Sequence, residues 1–397
     1  MKKIYSLLSF AFLLTNTTLH AQSATSVANG NWTMPTTWDC MCVPITGHSV
    51  TINHSVTLNT SMTFTAGGIT IGNNGYLKQD ASLNRDLWFN GGSFVNNGKA
   101  DFRYLLLTGG TNYNNGTFTV AAMTNSVSFN NNGTITMDSL YAAANFTNTA
   151  NGKIIGDSIT NGLTSTFLNN GRVNVLGSLN LGTFINNNYH SGYHFTNNNT
   201  YTNNDSMVMT ASIWNKAKFL NNPSGKVNLA FDFYNYTPGH TAVFDNQGSV
   251  MSKSWFNTDT VKGTSTGIFT VSDSSANSGW MKGNFHFCDL SMILTVAPFI
   301  DYNSGTISNS ITWCTTTGLQ HTQAEKQVTA FPNPNNGVFT IQAIKEEQFF
   351  IYNALGEFIQ TITLNASNYY QTEINNLRTG IYFIIGKNYK EKIVVTK

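Results

Sequence analysis

Polar and apolar residues alternate strictly through Thr117-Phe118-Thr119-Val120, Thr134-Ile135-Thr136-Met137, Arg172-Val173-Asn174-Val175 and Lys226-Val227-Asn228-Leu229. A period of two places one set of side chains on a core face and the other in solvent, so each run predicts a half-buried β-strand. A glycine precedes every one of these runs. An aromatic residue, a pair of asparagines and a glycine recur ahead of them, at Phe94-Val95-Asn96-Asn97-Gly98, Tyr113-Asn114-Asn115-Gly116, Phe129-Asn130-Asn131-Asn132-Gly133 and Phe167-Leu168-Asn169-Asn170-Gly171. Looser copies follow around Phe146, Phe184, Phe219 and Phe244. The mean step is roughly 19 residues, close to the period of stacked solenoid units.

One such strand cannot bury its apolar face alone, whereas coils stacked along an axis can, pairing their backbones about 4.8 Å apart. The pattern therefore predicts an all-β chain in which about ten coils build a rod about 48 Å long, filled with Phe and Ile. It resembles right-handed parallel β-helices over the repeat. The competing architecture is a β-sandwich array of hairpins, because Asn-Gly is also a favoured hairpin turn. Asparagine is expected to turn the chain by adopting the left-handed backbone conformation, and stacked Asn side chains can hydrogen-bond in ladders.

Composition narrows the function classes. The 397 residues carry a formal net charge of +2, with 10% charged and 13% aromatic residues and 54 asparagines. Disorder, nucleic-acid binding and coiled-coil formation each need charge that is missing. Lys2 and Lys3 account for the whole excess: residues 22–324 hold twelve Lys and Arg against thirteen Asp. Binding by this part must come from hydrogen bonds and shape.

Lys2 and Lys3 precede the apolar run Ile4 to Leu14, and Leu19-His20-Ala21 supplies a cleavage-type small residue, so residues 1–21 read as a secretory signal peptide. The mature chain then folds where disulfides are allowed, and no later stretch is apolar enough to span a membrane. All six Glu lie between Glu325 and Glu391. This shift divides the chain into a cap segment at 22–60, a repeat region at 61–314, a linker at 315–326 and a C-terminal domain at 327–397.

The segment Gly30-Asn31-Trp32, Thr37-Trp38 and Val43-Pro44 looks like the opening of secreted bacterial β-helix proteins. Trp32 and Trp38 would cover the first coil, or else offer rings to a sugar. Four cysteines allow three pairings. If the rod separates Cys42 from Cys288, a disulfide between them is out of reach, and Cys288 is expected to bond Cys314. Cys40 and Cys42 then pair with each other or stay thiols; with His48 and His54 they match no standard zinc spacing. No cofactor is expected.

Near the C-terminus stand Phe331-Pro332-Asn333-Pro334-Asn335-Asn336-Gly337, Tyr352-Asn353-Ala354-Leu355-Gly356, Gly380-Ile381-Tyr382 and Lys392-Ile393-Val394-Val395. Read from the residues, these are short strands between Pro-Asn, Asn-Gly and Leu-Gly turns, which suit a small Ig-like antiparallel sandwich. In order and in motif they resemble the C-terminal sorting domain of type IX secretion substrates. The resemblance implies export across the outer membrane to the cell surface or the extracellular space. It also implies that the type IX machinery and its processing peptidase are partners, with the cargo attached to surface lipopolysaccharide or released.

Polysaccharide lyases and hydrolases built on β-helices need clustered carboxylates, or Asp-bound calcium with a Lys or Arg base. Residues 22–324 contain no Glu and no Asp-x-Asp. Asp232, Asp245, Asp259, Asp273, Asp289 and Asp301 recur every 12 to 16 residues. They are either a ladder bridged by calcium or six turn residues. Asp138-Ser139-Leu140, Asp157-Ser158-Ile159, Asp205-Ser206-Met207 and Asp259-Thr260-Val261 resemble bacterial O-glycosylation sequons. Two readings remain: a non-catalytic exported surface protein for adhesion, matrix or glycan contact, which carboxylate scarcity favours, and a secreted polysaccharide lyase or glycoside hydrolase.

Overall fold

The computed structural model describes residues 22–80, 85–239, 241–291, 297–314, 328–387 and 389–396. The expected signal peptide and the 315–326 linker lie outside them. Parallel strands wind from Ser23–Thr25 to Thr312–Trp313 as a β-solenoid. One face is a sheet of 15 strands, so fourteen steps make a rod about 67 Å long, longer than the ten coils counted from asparagines. The difference comes from coils such as Gly68–Ile71 and Trp280–Gly283, which occupy the same sheet without the Asn pair.

A central coil shows how the sequence shapes the cross-section. Phe129–Asn131 lies in the 15-stranded sheet, and the nine-residue strand Thr134–Ala142 forms the rest of the coil. Pairing to the previous coil joins Val120 to Met137 and Ala122 to Ser139, leaving Ala121 and Asp138 unpaired at a corner. There the alternation slips phase: Ile135, Met137, Leu140 and Ala142 are buried while Asp138 and Ser139 both face outward. One strand thus serves two faces. Further along the two halves separate completely, as Tyr189–Gly192 and His194–Asn197.

The interior is a column of rings. Phe129, Phe146, Phe167 and Phe184 follow one another at centroid distances of 5.2, 5.0 and 4.6 Å, and Tyr201, Phe219 and Phe244 continue the column. Such contacts add to the burial of the rings themselves.

Two asparagine ladders flank this column. Asn96, Asn114, Asn131, Asn148, Asn169, Asn186, Asn203, Asn221 and Asn246 form one. Asn161, Asn180, Asn197, Asn215, Asn235, Asn257, Asn277 and Asn303 form the other. Each Nδ2 donates to Oδ1 of the next coil, at 2.8 Å for Asn169 to Asn186. The expectation of left-handed asparagines is corrected: the described non-glycine residues with positive φ are Met41, Tyr369, Tyr370 and Asn376, none of them in the repeat. The turning residues are instead held by the ladder, since Asn169 also donates to the Tyr189 carbonyl and accepts from Gly171 N–H. The glycines answer to close approach: a Cβ on Gly116 would fall inside contact distance of the Gly98 carbonyl.

Trp32 and Trp38 are fully buried, 5.1 Å apart edge to face, with their indole N–H groups donating to the carbonyls of Pro44 and Trp32. Neither offers a face to a sugar. Cys40 with Cys42 and Cys288 with Cys314 stand at disulfide distance, their Cα atoms 5.1 and 4.9 Å apart.

A separate unit follows from Val328. A three-stranded antiparallel sheet (Val328–Phe331, Phe339–Ala343, Gln371–Ile374) faces a four-stranded one (Phe358–Leu364, Glu347–Asn353, Gly380–Ile385, Lys390–Val395) over Phe339, Ile341, Phe349, Ile351, Leu364 and Ile393. No helix among the described residues is long and apolar enough to cross a membrane.

Candidate functional site

The C-terminal motif residues owe their types to how they tie the unit together. Asn333 donates from Nδ2 to the Lys392 carbonyl at 2.6 Å and accepts Val394 N–H at 2.8 Å, pinning the Pro-Asn-Pro segment to the last strand. Asn335 N–H donates to the Val394 carbonyl at 3.0 Å, and its side chain accepts Gly337 N–H at 2.9 Å. Gly337 and Gly356 hold φ of 97° and 80°, a region costly for other residues. Phe331, Pro332 and Pro334 lead into this turn, Tyr352 lies in a central strand, and Gly380 opens the strand carrying Tyr382. Buried Tyr382 donates its hydroxyl to the Arg378 carbonyl at 2.9 Å.

Residues 329–397 match the family model for a secretion system C-terminal sorting domain. No curated relative and no solved structure matches the chain. The sorting domain directs export by type IX secretion across the outer membrane, to the cell surface or the extracellular space.

On the solenoid, the outward position of one face repeats from coil to coil. In register it reads Trp88, Leu106, Thr124, Tyr141, Thr160, Leu179, Thr196, Trp214, Tyr234, Phe256, Ala276, Tyr302. Three consecutive coils are aromatic. Trp214, 49% exposed, meets the Tyr234 ring edge-on at 5.6 Å, and Tyr234 stacks on Phe256 at 5.1 Å. Lys216 lies over Trp214 at 5.6 Å, and the Tyr234 hydroxyl donates to Asp232 at 3.1 Å. Burial and the Asp232 carboxylate push that hydroxyl above its usual range. Trp214 is the exposed member of this run, and Tyr234 and Phe256 are half-buried beside it.

The six recurring aspartates do not stack. Asp245 pairs with Lys262 at 3.0 Å, Asp259 accepts from the Thr237 hydroxyl at 3.0 Å, and Asp273 lies 4.0 Å from Lys253. Asp289 and Asp301 both accept from Ser275, through its hydroxyl and its N–H respectively. Burial holds the Asp289 carboxyl above its usual range, against hydrogen bonds from Ser275 and Ser291. The reading as turn residues holds for Asp259 and Asp301, which lie in bends, and fails for Asp232, Asp245, Asp273 and Asp289, which lie within strands. Among the described residues no group of three or more His, Cys, Asp or Glu could hold a metal ion. His54 is bonded instead to Ser26, through the Ser26 carbonyl at 2.8 Å.

A small groove of about 230 Å³ brings Asp101, Arg103 and Asp138 together. Arg103 is already bound to Asp86 at 3.0 Å, and Tyr76 to Asp101. The four Ser and Thr of the glycosylation-type sequons, Ser139, Ser158, Ser206 and Thr260, are all half-buried strand residues.

His190 centres a constellation that no motif or spacing marks. Its ring is fully buried inside the coil, stacked 5.0 Å from Phe184, with Nε2 3.0 Å from the Ser178 hydroxyl and Nδ1 2.9 Å from the Tyr201 hydroxyl. No substrate reaches it, so it is structural. Desolvation lowers its pKa to about 3. Between about pH 6.5 and about pH 3 the unfolded chain takes up a proton that the folded chain refuses, so stability falls as pH drops, on the order of 1 kcal/mol per pH unit. Urea midpoints at pH 7 and pH 5 should therefore differ less for His190→Gln than for the native chain. Equal shifts would remove His190 as the cause.

Proposed function

We propose that the protein is a non-catalytic, exported β-solenoid that contacts glycans through its aromatic row. The observation that carries this reading is the contiguity of Trp214, Tyr234 and Phe256 on three successive coils. The C–H face of a sugar ring packs on an aromatic ring, for which the exposed Trp214 is the anchor, and the half-buried Tyr234 and Phe256, stacked on each other, extend the apolar contact along the rod in the direction in which an extended chain lies. Asp232 and Lys216 beside the rings supply hydrogen bonds without a net charge. An N-terminal leader at residues 1–21 would deliver the chain to the periplasm, where the sorting domain takes over.

Affinity electrophoresis through gels containing xylan, β-glucan or mannan tests this. The native chain should be retarded by at least one of them, and Trp214→Ala should weaken that binding roughly tenfold. Retardation by none, or equal retardation of the variant, refutes the row as a glycan site.

A polysaccharide-cleaving enzyme is the second reading, and the Asp101, Arg103 and Asp138 groove is what favours it. Its volume is below the roughly 300 Å³ at which ligand pockets begin, and Arg103 is engaged with Asp86. Release of reducing or unsaturated ends from those polysaccharides, abolished by Asp138→Asn, would establish it.

A further inference from the structure

In an antiparallel sandwich each strand gives one face to the core and the other to solvent. Phe339–Ala343 breaks this rule, because all five of its residues are buried. Phe339, Ile341 and Ala343 belong to the sandwich core. Thr340 and Gln342, only 6% and 5% exposed, face the solenoid. Arg172 donates from Nη2 to the Thr340 hydroxyl at 2.7 Å, and the Tyr189 hydroxyl donates to Gln342 at 3.4 Å.

The solenoid side of this contact is a register row. Lys153 pairs with Arg172 and Arg172 with Tyr189 on successive coils, so their side chains stand one above another. The Glu373 carboxylate lies across the first two, 2.9 Å from Lys153 Nζ and 2.6 Å from Arg172 Nη1. Tyr189 stacks with Phe331 at 4.7 Å, while the Arg172 guanidinium covers the same tyrosine at 5.3 Å. At the corner of the coil the Tyr369 hydroxyl donates to Asp157 at 3.1 Å. Charge, hydrogen-bonding and ring stacking therefore meet their complements at one seat, and Tyr189 is 5% exposed.

We propose that the sorting domain recognises its own cargo: its Phe331, Thr340 and Glu373 face is a docking surface whose partner is the Lys153, Arg172 and Tyr189 row. The chain then has a closed form in which one ring face of the half-exposed Phe331, at the head of the Phe-Pro-Asn-Pro segment, is covered by Tyr189. Any component of the export route that reads that ring face must first open this contact. The cation pair on one side and the single carboxylate on the other make opening responsive to salt, since the side chains are one-quarter to two-fifths exposed. This inference is independent of the glycan reading, because the aromatic row belongs to the other half of the coil.

Hydroxyl-radical footprinting of the full chain, with small-angle scattering on the same samples, tests it. Tyr189 should be protected in the native chain, and Glu373→Lys should raise its modification severalfold with an increased radius of gyration. Adding Lys153→Glu and Arg172→Glu to Glu373→Lys should restore protection by exchanging the signs. Circular dichroism and thermal melting verify that both units stay folded. Modification of Tyr189 in the native chain equal to that in Glu373→Lys overturns the proposal, as does a charge exchange that leaves a folded chain open.

Discussion

A chain that stops before Val328 is expected to accumulate inside the outer membrane as a folded solenoid, with the surface and secreted fractions falling to background. The two hydrophobic cores make the outcome separable from misfolding. One runs from Ala24 to Ile311 without any residue beyond the solenoid, and the other holds only residues from Val328 onward. Truncation removes the docking contacts of Lys153, Arg172 and Tyr189, which lie on the surface of the rod, and opens none of its interior. Cell fractionation and protease shaving measure the location, and thermal melting of the purified truncation should stay within a few degrees of the solenoid transition in the full chain. Surface display of the truncation would contradict the sorting role of residues 329–397.

Replacing Asn169 with Leu should lower stability by roughly 3–5 kcal/mol. Leucine matches the volume but removes all four bonds of the side chain: the Asn186 Oδ1 and the Gly171 N–H lose their side-chain partner, the Tyr189 carbonyl loses one donor, and the Asn148 amide keeps only the Gly152 and Arg172 carbonyls. All lie in the interior, where an unpaired polar group costs its full desolvation. Asn169→Asp should be worse, since it sets a carboxylate oxygen against two acceptors. Asn187→Ala is the control, an exposed residue bonded to Asn170 and Asn204 on the outside of the rod, with an expected change within about 0.5 kcal/mol. Urea unfolding followed by circular dichroism distinguishes them. Equal midpoints for Asn169→Leu and Asn187→Ala would mean that the buried ladder is not a main support of the fold.

How far the sequence carried depends on the range of each interaction. The coils were legible because each is a local unit: Phe129, the Asn run and the Thr134 to Met137 alternation lie within ten residues of one another. Coils without the Asn pair, such as Gly68–Ile71, were undercounted for the same reason. Asparagine stacking was readable from composition, but its direction was not, and the expected left-handed turns gave way to side-chain hydrogen bonds. Trp214, Tyr234 and Phe256 stand 20 and 22 residues apart, irregular enough to hide a row that only register reveals. The aspartates show the converse, an even spacing in sequence that the varying coil length scatters in space. Least visible was the docking seat: Glu373 lies 220 residues from Lys153, and nothing local marks either as a partner of the other.

The ladders have a consequence for the growth of such proteins. Every amide donates toward the following coil and accepts from the preceding one, so the donor side and the acceptor side of any central coil are the same as those of its neighbours. A duplicated coil of the Phe167 to Thr183 type can therefore be spliced between two others and satisfy all its bonds, lengthening the rod by about 4.8 Å. Length is in that sense a freely heritable quantity, set by the number of tandem copies, and the aromatic row can be carried nearer to or farther from the sorting domain's seat without rewriting either.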